Sequence, residues 1–238
     1  MRDFLKYLRK PLFITAAEAP FSGKIKCFLW ACLFCELAVL ATIFLLGIIN
    51  IVVWLLYEIN LAREIFSSKK TIGTWIFPPA LYIILIGPFI EEVVFRLFLN
   101  LRKLTISISL SVYIYLISAN WIGTRHMELN VCLRIILVIM VTILVYGGIS
   151  ERILIRMKTK YFRYIFYSSA ILFGFVHLFN FSPLSIKVIL VSPLLILPPV
   201  CYGLAMGYLR LKLKNGFIWG LALHIFINGT AQLFLLIG

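Results

Sequence analysis

The chain alternates long apolar runs with short, mostly basic polar segments. Runs able to cross a bilayer, which takes about 20 residues each, fall at roughly 27–57, 74–101, 105–122, 129–149, 164–182, 188–209 and 216–237. This pattern predicts an all-α, polytopic transmembrane helix bundle of about seven spans. The first run is overlong and is expected to tilt or break near Asn50. The second carries Pro78, Pro79 and Pro88, which predict a kink or a re-entrant piece. Ahead of the spans, residues 1–26 form a basic cytoplasmic or interfacial segment. Residues 27–238 form a single transmembrane domain, with no composition shift that would mark a linker.

Composition strengthens the membrane reading. Hydrophobic residues make up 63% of the 238 positions and charged residues 13%, where soluble domains carry about 25% charged. One soluble core of this length cannot hide so much apolar surface. Membrane lipids are therefore the solvent and first partner of this chain. The formal charge of +14 does not point to nucleic acid, because the bases gather at the ends of apolar runs without aromatic interleaving.

Those bases orient the chain. With the N-terminus in the cytoplasm, sixteen of the 23 Lys and Arg fall in inside segments, including the run Arg152 to Arg163, and five fall outside. That bias is the positive-inside pattern for seven spans, N-terminus in and C-terminus out. The N-terminal bases are not followed by a short apolar run and a small-residue cleavage site, so they do not read as a cleaved signal peptide. Phe4, Leu5, Tyr7 and Leu8 beside them suit an anionic membrane surface.

Cysteine and glycine add little chemistry. Cys27, Cys32 and Cys35 reproduce an iron–sulfur-like spacing, but one continuous helix is expected to project them in different directions, as lipid-facing or packed small hydrophobes. Gly203-x-x-x-Gly207 and Gly216-x-x-x-Gly220 place small residues on one face of each of the last two spans, as close helix packing requires. No internal repeat is evident.

Ionisable groups at membrane depth are costly and mark function. Of nine acids, Glu91 and Glu92 are adjacent in an apolar run, and two of three histidines, His177 and His224, lie in spans. Glu92 and Arg96 are one helical turn apart and able to pair, while Glu91 points about 100° away. Phe173 and His177, and His224 and Asn228, are likewise stacked by one turn. At 1.5 Å rise per residue, Glu91, His177, His224 and Asn228 lie about 16, 19, 13 and 19 Å from the inner ends of their spans. Three helices thus bring a carboxylate, two imidazoles and an amide to one layer. Glu36 and Arg134 are intramembrane charges outside this pattern, and His126 belongs to a short, solvated outer segment.

Glu91-Glu92-Val93-Val94-Phe95-Arg96, Phe173-Gly174-Phe175-Val176-His177 and His224-Ile225-Phe226-Ile227-Asn228 resemble three ordered motifs, EExxxR, FxxxH and HxxxN/D. Those motifs define the CPBP family of CAAX proteases and bacteriocin-processing enzymes, also called Abi, which includes the CAAX endoprotease of the eukaryotic endoplasmic reticulum. The resemblance covers about 88–230. The chain departs from the family in having Leu97 where glycine often follows the arginine, and in a gap from Glu91 to His177 long enough for an extra helical hairpin.

The resemblance implies an intramembrane endopeptidase acting on a membrane-associated peptide or protein, such as a CAAX-like tail, a leader or a signalling peptide. Glu91 is the expected general base, with His177 positioning the water and shuttling its proton. His224 and Asn228 are expected to stabilise the oxyanion. Glu92 and Arg96 support the motif helix as a pair, and Phe173 packs. A zinc site built from His177, His224 and Glu91 or Glu92 is the alternative chemistry. The absence of an H-E-x-x-H helix, and an amide at Asn228, favour a metal-free, glutamate-type site without a cofactor. Two other functions compete, a non-catalytic membrane scaffold or immunity protein and an ion-coupled transporter. The expected location is the plasma membrane of a bacterium.

The charge bias makes the topology testable. A single cysteine at position 126 should be labelled by an impermeant thiol reagent in intact cells, and one at position 158 should not. Labelling at 158 would overturn the orientation.

Overall fold

The computed structural model describes residues 2–14, 18–67, 79–118, 127–181 and 184–237. Among them the regular structure is helical and no strand forms. Pro78 and the outer residues Lys69, Lys70, Arg125 and His126 lie outside the described residues. In chain order the α-helices are α1 (Arg2–Arg9), α2 (Phe21–Tyr57), α3 (Leu61–Ser67), the single turn α4 (Pro79–Leu81), α5 (Gly87–Phe95) and α6 (Lys103–Ser118). They continue with α7 (Met127–Gly148), α8 (Glu151–Arg156), α9 (Phe162–Val176), α10 (Ile186–Lys212) and α11 (Gly216–Ile237). Four described helical runs, Phe21–Tyr57, Leu129–Gly148, Glu151–Asn180 and Ile186–Lys212, are long and apolar enough to cross a membrane, and Lys103–Ser118 is apolar but shorter. The chain is an integral membrane protein.

The N-terminal helix is anchored on protein through Phe4, while Leu5 stays exposed. Phe4 is buried, edge-on to Phe34 at 5.3 Å and to Tyr208 at 4.8 Å. The Tyr167 hydroxyl donates to the Leu8 carbonyl at 2.7 Å. The apolar side of α1 is therefore taken up by protein, across the ends of α2 and α10.

No break occurs at Asn50, and α2 runs on to Tyr57. The Asn50 side chain has another task, because its Oδ1 accepts from the Ala62 N–H at 2.8 Å. After Glu58 turns through the left-handed region (φ 56°), α3 folds back, and Leu61 and Ile65 pack against Leu46, Ile49, Val188 and Val191. An intrahelical asparagine thus satisfies an orphan donor at the start of the next helix.

The central element is α10, which packs against α9, α2, α11, α1 and α3. Ser185 caps it by accepting from the Val188 N–H at 3.3 Å. Pro193 cannot supply the N–H that Ile189 O would receive, and the Ser192 hydroxyl takes that carbonyl at 2.8 Å. Gly203 and Gly207 let α9 approach closely: a Cβ on the first would lie 2.8 Å from Ala170 Cα, and one on the second 2.9 Å from Phe166 Cε2. Cys27, Cys32 and Cys35 all join the cluster between α2 and α10, with Cys35 fully buried. They are packed small hydrophobes, one of the two readings that the sequence offered, and all three are free thiols.

The long gap between the first two motifs holds the hairpin of α6 and α7, which pack on one another. Ser111 and Thr142 share a 2.7 Å hydrogen bond across it. Arg134, unexplained by sequence, is satisfied by α6. Its Nη2 donates to Tyr115 O at 2.6 Å, its Nε to Ser118 Oγ at 3.3 Å, and its guanidinium lies 3.9 Å over the Tyr115 ring. Glu36 lies on the exposed side of α2. The basic stretch from Arg152 is not a loop, since Ser150 caps a helical run that continues to Asn180.

Arg134→Leu should destabilise the hairpin by about 1–3 kcal/mol, the cost of leaving polar partners unsatisfied. The melting temperature of the detergent-solubilised protein reports this. An unchanged or higher value would show that these contacts do not hold α7 to α6.

Candidate functional site

The motif helix is irregular, and its irregularities are what position the site. A π-helical turn, Tyr82–Ile86, leads into α5, and a 3-10 turn, Leu97–Asn100, follows it. In the π turn the Gly87 N–H reaches back to Tyr82 O. The next donor in that register belongs to Pro88, which has none, so Ile83 O is left over. Asn228 Nδ2 donates to it at 2.8 Å. At the other end, Leu99 N–H bonds Arg96 O, which frees Phe95 O. The Ser169 hydroxyl of α9 donates to Phe95 O, and Ser109 of α6 donates to Val93 O at 2.7 Å. Three neighbouring helices thus each satisfy one carbonyl of the motif helix. Sequence reasoning missed Ser109 and Ser169, whose only signal is a hydroxyl inside an apolar run.

The sequence-predicted residues meet here. Glu92 and Arg96 are fully buried, with Arg96 Nε 3.6 Å from Glu92 Oε1. Glu91, one residue earlier, turns away and keeps 36% of its side chain exposed. His224 is buried between the two acids, its Nδ1 3.2 Å from Glu92 Oε1 and its Nε2 3.5 Å from Glu91 Oε2. His177 stands across from it, 27% exposed, with Nε2 4.0 Å from the same Glu91 oxygen. Two imidazoles from separate helices therefore converge on one carboxylate oxygen.

The His177 tautomer follows from its other nitrogen. Nδ1 lies 2.8 Å from Phe173 O, and a carbonyl can only accept, so Nδ1 carries the hydrogen. In the neutral ring Nε2 is then an acceptor facing Glu91. A separation of 4.0 Å is beyond a direct hydrogen bond, and this Glu91 oxygen is buried without a hydrogen-bond partner among the described residues.

Phe173 does more than fill space. Its ring is fully buried, with the Arg96 guanidinium carbon 3.7 Å over its centroid and the His177 and His224 rings edge-on at 4.5 and 5.6 Å. Nε, Nη1 and Nη2 of Arg96 find no hydrogen-bond partner among the described residues. The cation is held by the Glu92 charge and the ring face. Asn228 is tied to the π turn by its bond to Ile83 O.

Among the described residues no group of three or more His, Cys, Asp or Glu side chains has the arrangement to hold a metal ion. The two free-facing imidazole nitrogens point at the Glu91 oxygen itself, and Glu92 is engaged by His224 and Arg96.

A family model described as Type II CAAX prenyl endopeptidase Rce1-like matches residues 73–230, a span that contains all three motifs. No curated protein and no solved structure matches the chain.

Removing the Arg96 cation should leave a buried carboxylate uncompensated, at a cost of about 3–5 kcal/mol. Arg96→Ala is expected to lower folded yield sharply. Arg96→Lys should recover part of it, since lysine restores the charge but not the flat stacking group. Size-exclusion recovery and thermal melting read both. Arg96→Ala at wild-type yield and melting temperature would show that the pair does not hold the site together.

Proposed function

This chain belongs to the CPBP family, as a Type II CAAX prenyl endopeptidase Rce1-like protein, and we propose that it is a glutamate-type intramembrane endopeptidase. In this reading it hydrolyses a peptide bond in a membrane-associated peptide or protein, with a CAAX-like tail, a leader or a signalling peptide as the substrate class. It does so in a seven-span, N-terminus-in arrangement in a bacterial plasma membrane. The observation that carries the chemistry is the single Glu91 oxygen faced by Nε2 of both His177 and His224.

A water admitted between Glu91 and His177 would have two acceptors for its two hydrogens. Glu91 takes one proton as the water oxygen attacks the substrate carbonyl carbon, and His177 Nε2 holds the other hydrogen and orients the lone pair. As the carbonyl π bond opens, charge gathers on its oxygen. His224, held through Nδ1–H by Glu92, offers Nε2–H to that oxygen in its imidazolium form. Two carboxylates against one guanidinium leave a single negative charge, which this imidazolium balances. Asn228 keeps a second N–H, the first being fixed on Ile83 O, and in this reading that N–H joins His224 at the oxyanion. Donors held in place before reaction, in a site shielded from water, stabilise the oxyanion without reorganising. Collapse of the tetrahedral intermediate breaks the C–N bond, and the proton on Glu91 passes to the leaving amine. No step requires a metal.

Purified protein in proteoliposomes, tested against a membrane-peptide library, examines this directly. Glu91→Gln should lower turnover by about 10²–10⁴ with the melting temperature kept. Asn228→Ala should lower turnover by about 10²–10³. Activity should survive prolonged chelation, with less than one zinc per active protein. A library cleaved equally by wild type and Glu91→Gln removes the enzyme assignment. Stoichiometric zinc whose removal abolishes activity, and whose return restores it, replaces the glutamate mechanism with a metal one.

A further inference from the structure

Glu92 Oε2 is buried without a hydrogen-bond partner, and its surroundings explain how a carboxylate is tolerated there. On α11, beside the His224 side chain that contacts Oε1, Gly220 leaves room for Oε2. A Cβ at that position would lie 3.1 Å from Glu92 Oε2, while Met206 O and Met206 Cβ would be at 3.6 and 3.9 Å. The carboxylate is thus the only atom pressed, and the contacts to α10 are ordinary. Gly220 also precedes His224 by one helical turn, so the space it leaves and the imidazole that binds Glu92 lie on one face of α11. On α10 a Cβ at Gly203 would lie 3.2 Å from Arg96 Nη2, but also 2.8 Å from Ala170 Cα. Gly203 serves helix contact as well as the cation. Gly220 serves the anion.

We propose that Gly220 is a positioning residue of the site: its absent side chain forms the recess that lets Glu92 seat its carboxylate against His224 Nδ1. This rests on the catalytic reading above for its effect on turnover, though not for its effect on structure. An added methyl makes the Glu92 carboxylate give by a few tenths of an ångström, which shifts Oε1 against the His224 Nδ1 that it holds. The sequence reading of Gly216-x-x-x-Gly220 as close helix packing is thereby narrowed for its second glycine.

The test separates the recess from helix packing by a double-mutant cycle. Gly220→Ala and Gly203→Ala are each made in wild type and in a Glu92→Ala/Arg96→Met background, in which the pair is replaced by groups that need no recess. Gly47→Ala, a position with open space around it, is the control for helix glycines. Melting temperatures are read in detergent. In wild type Gly220→Ala should lower the melting temperature, and in the pair-free background the loss should disappear. Gly203→Ala should keep most of its loss in both, because Ala170 remains. A Gly220→Ala penalty of equal size in both backgrounds overturns the proposal, as does no penalty in wild type.

A second arm uses the single Gly220→Ala variant in proteoliposomes. Its folded fraction should show kcat reduced about tenfold or more with KM unchanged, since the substrate-facing surface is untouched. A raised KM at unchanged kcat would overturn the catalytic part. If no variant or wild type cleaves any peptide while the melting cycle behaves as stated, the enzyme reading fails and the recess stands.

Discussion

Everything in this site depends on keeping one ion pair inside a membrane protein. Glu92 and Arg96 are both fully buried, where neither charge survives without the other. The pair is not secured by ideal hydrogen-bond geometry, as the 3.6 Å separation and the unpartnered Arg96 nitrogens attest. It is secured by its enclosure. Phe173 turns its ring face to the cation, His224 lends a nitrogen to the anion, and glycines on α10 and α11 leave the room. Each motif therefore contributes to the same charge arrangement before any of them touches a substrate.

The second constraint is the backbone. In a bilayer, carbonyls released by irregular turns must be satisfied from within the protein. The motif helix changes from π to α to 3-10 within a single pass, and α9 likewise passes into a 3-10 turn, His177–Asn180, at its histidine. Such breaks re-aim side chains, and they would be prohibitively costly if left open. Asn228, Ser169 and Ser109 close them. Asn228 therefore acts structurally whatever it does in catalysis, with one N–H committed and one spare.

Much of this was legible in sequence because intramembrane charge is so selective a signal. Four of the apolar runs correspond to described helical runs long and apolar enough to cross a membrane, and Glu91, His177 and His224, read as one layer on three helices, come together at one Glu91 oxygen, each imidazole within 4.0 Å of it. What was not legible depended on partners distant in sequence. Asn50 looked like a breaker because its role, capping α3, lies twelve residues on. Arg134 looked stranded because its acceptors belong to the preceding helix. Phe173 looked like filler because a ring reveals its cation only when the helices meet. Ser109 and Ser169 were invisible, and Gly220 read only as a packing glycine, for the same reason: a hydroxyl or a missing methyl acquires meaning only from what lies across the interface.

The length of α2 sets a condition on the surrounding lipid. Its 37 residues rise about 55 Å, well beyond the ~30 Å hydrocarbon thickness of a bilayer. A helix that long must tilt or carry one end out of the hydrocarbon, and α10, which packs along it, shares that condition.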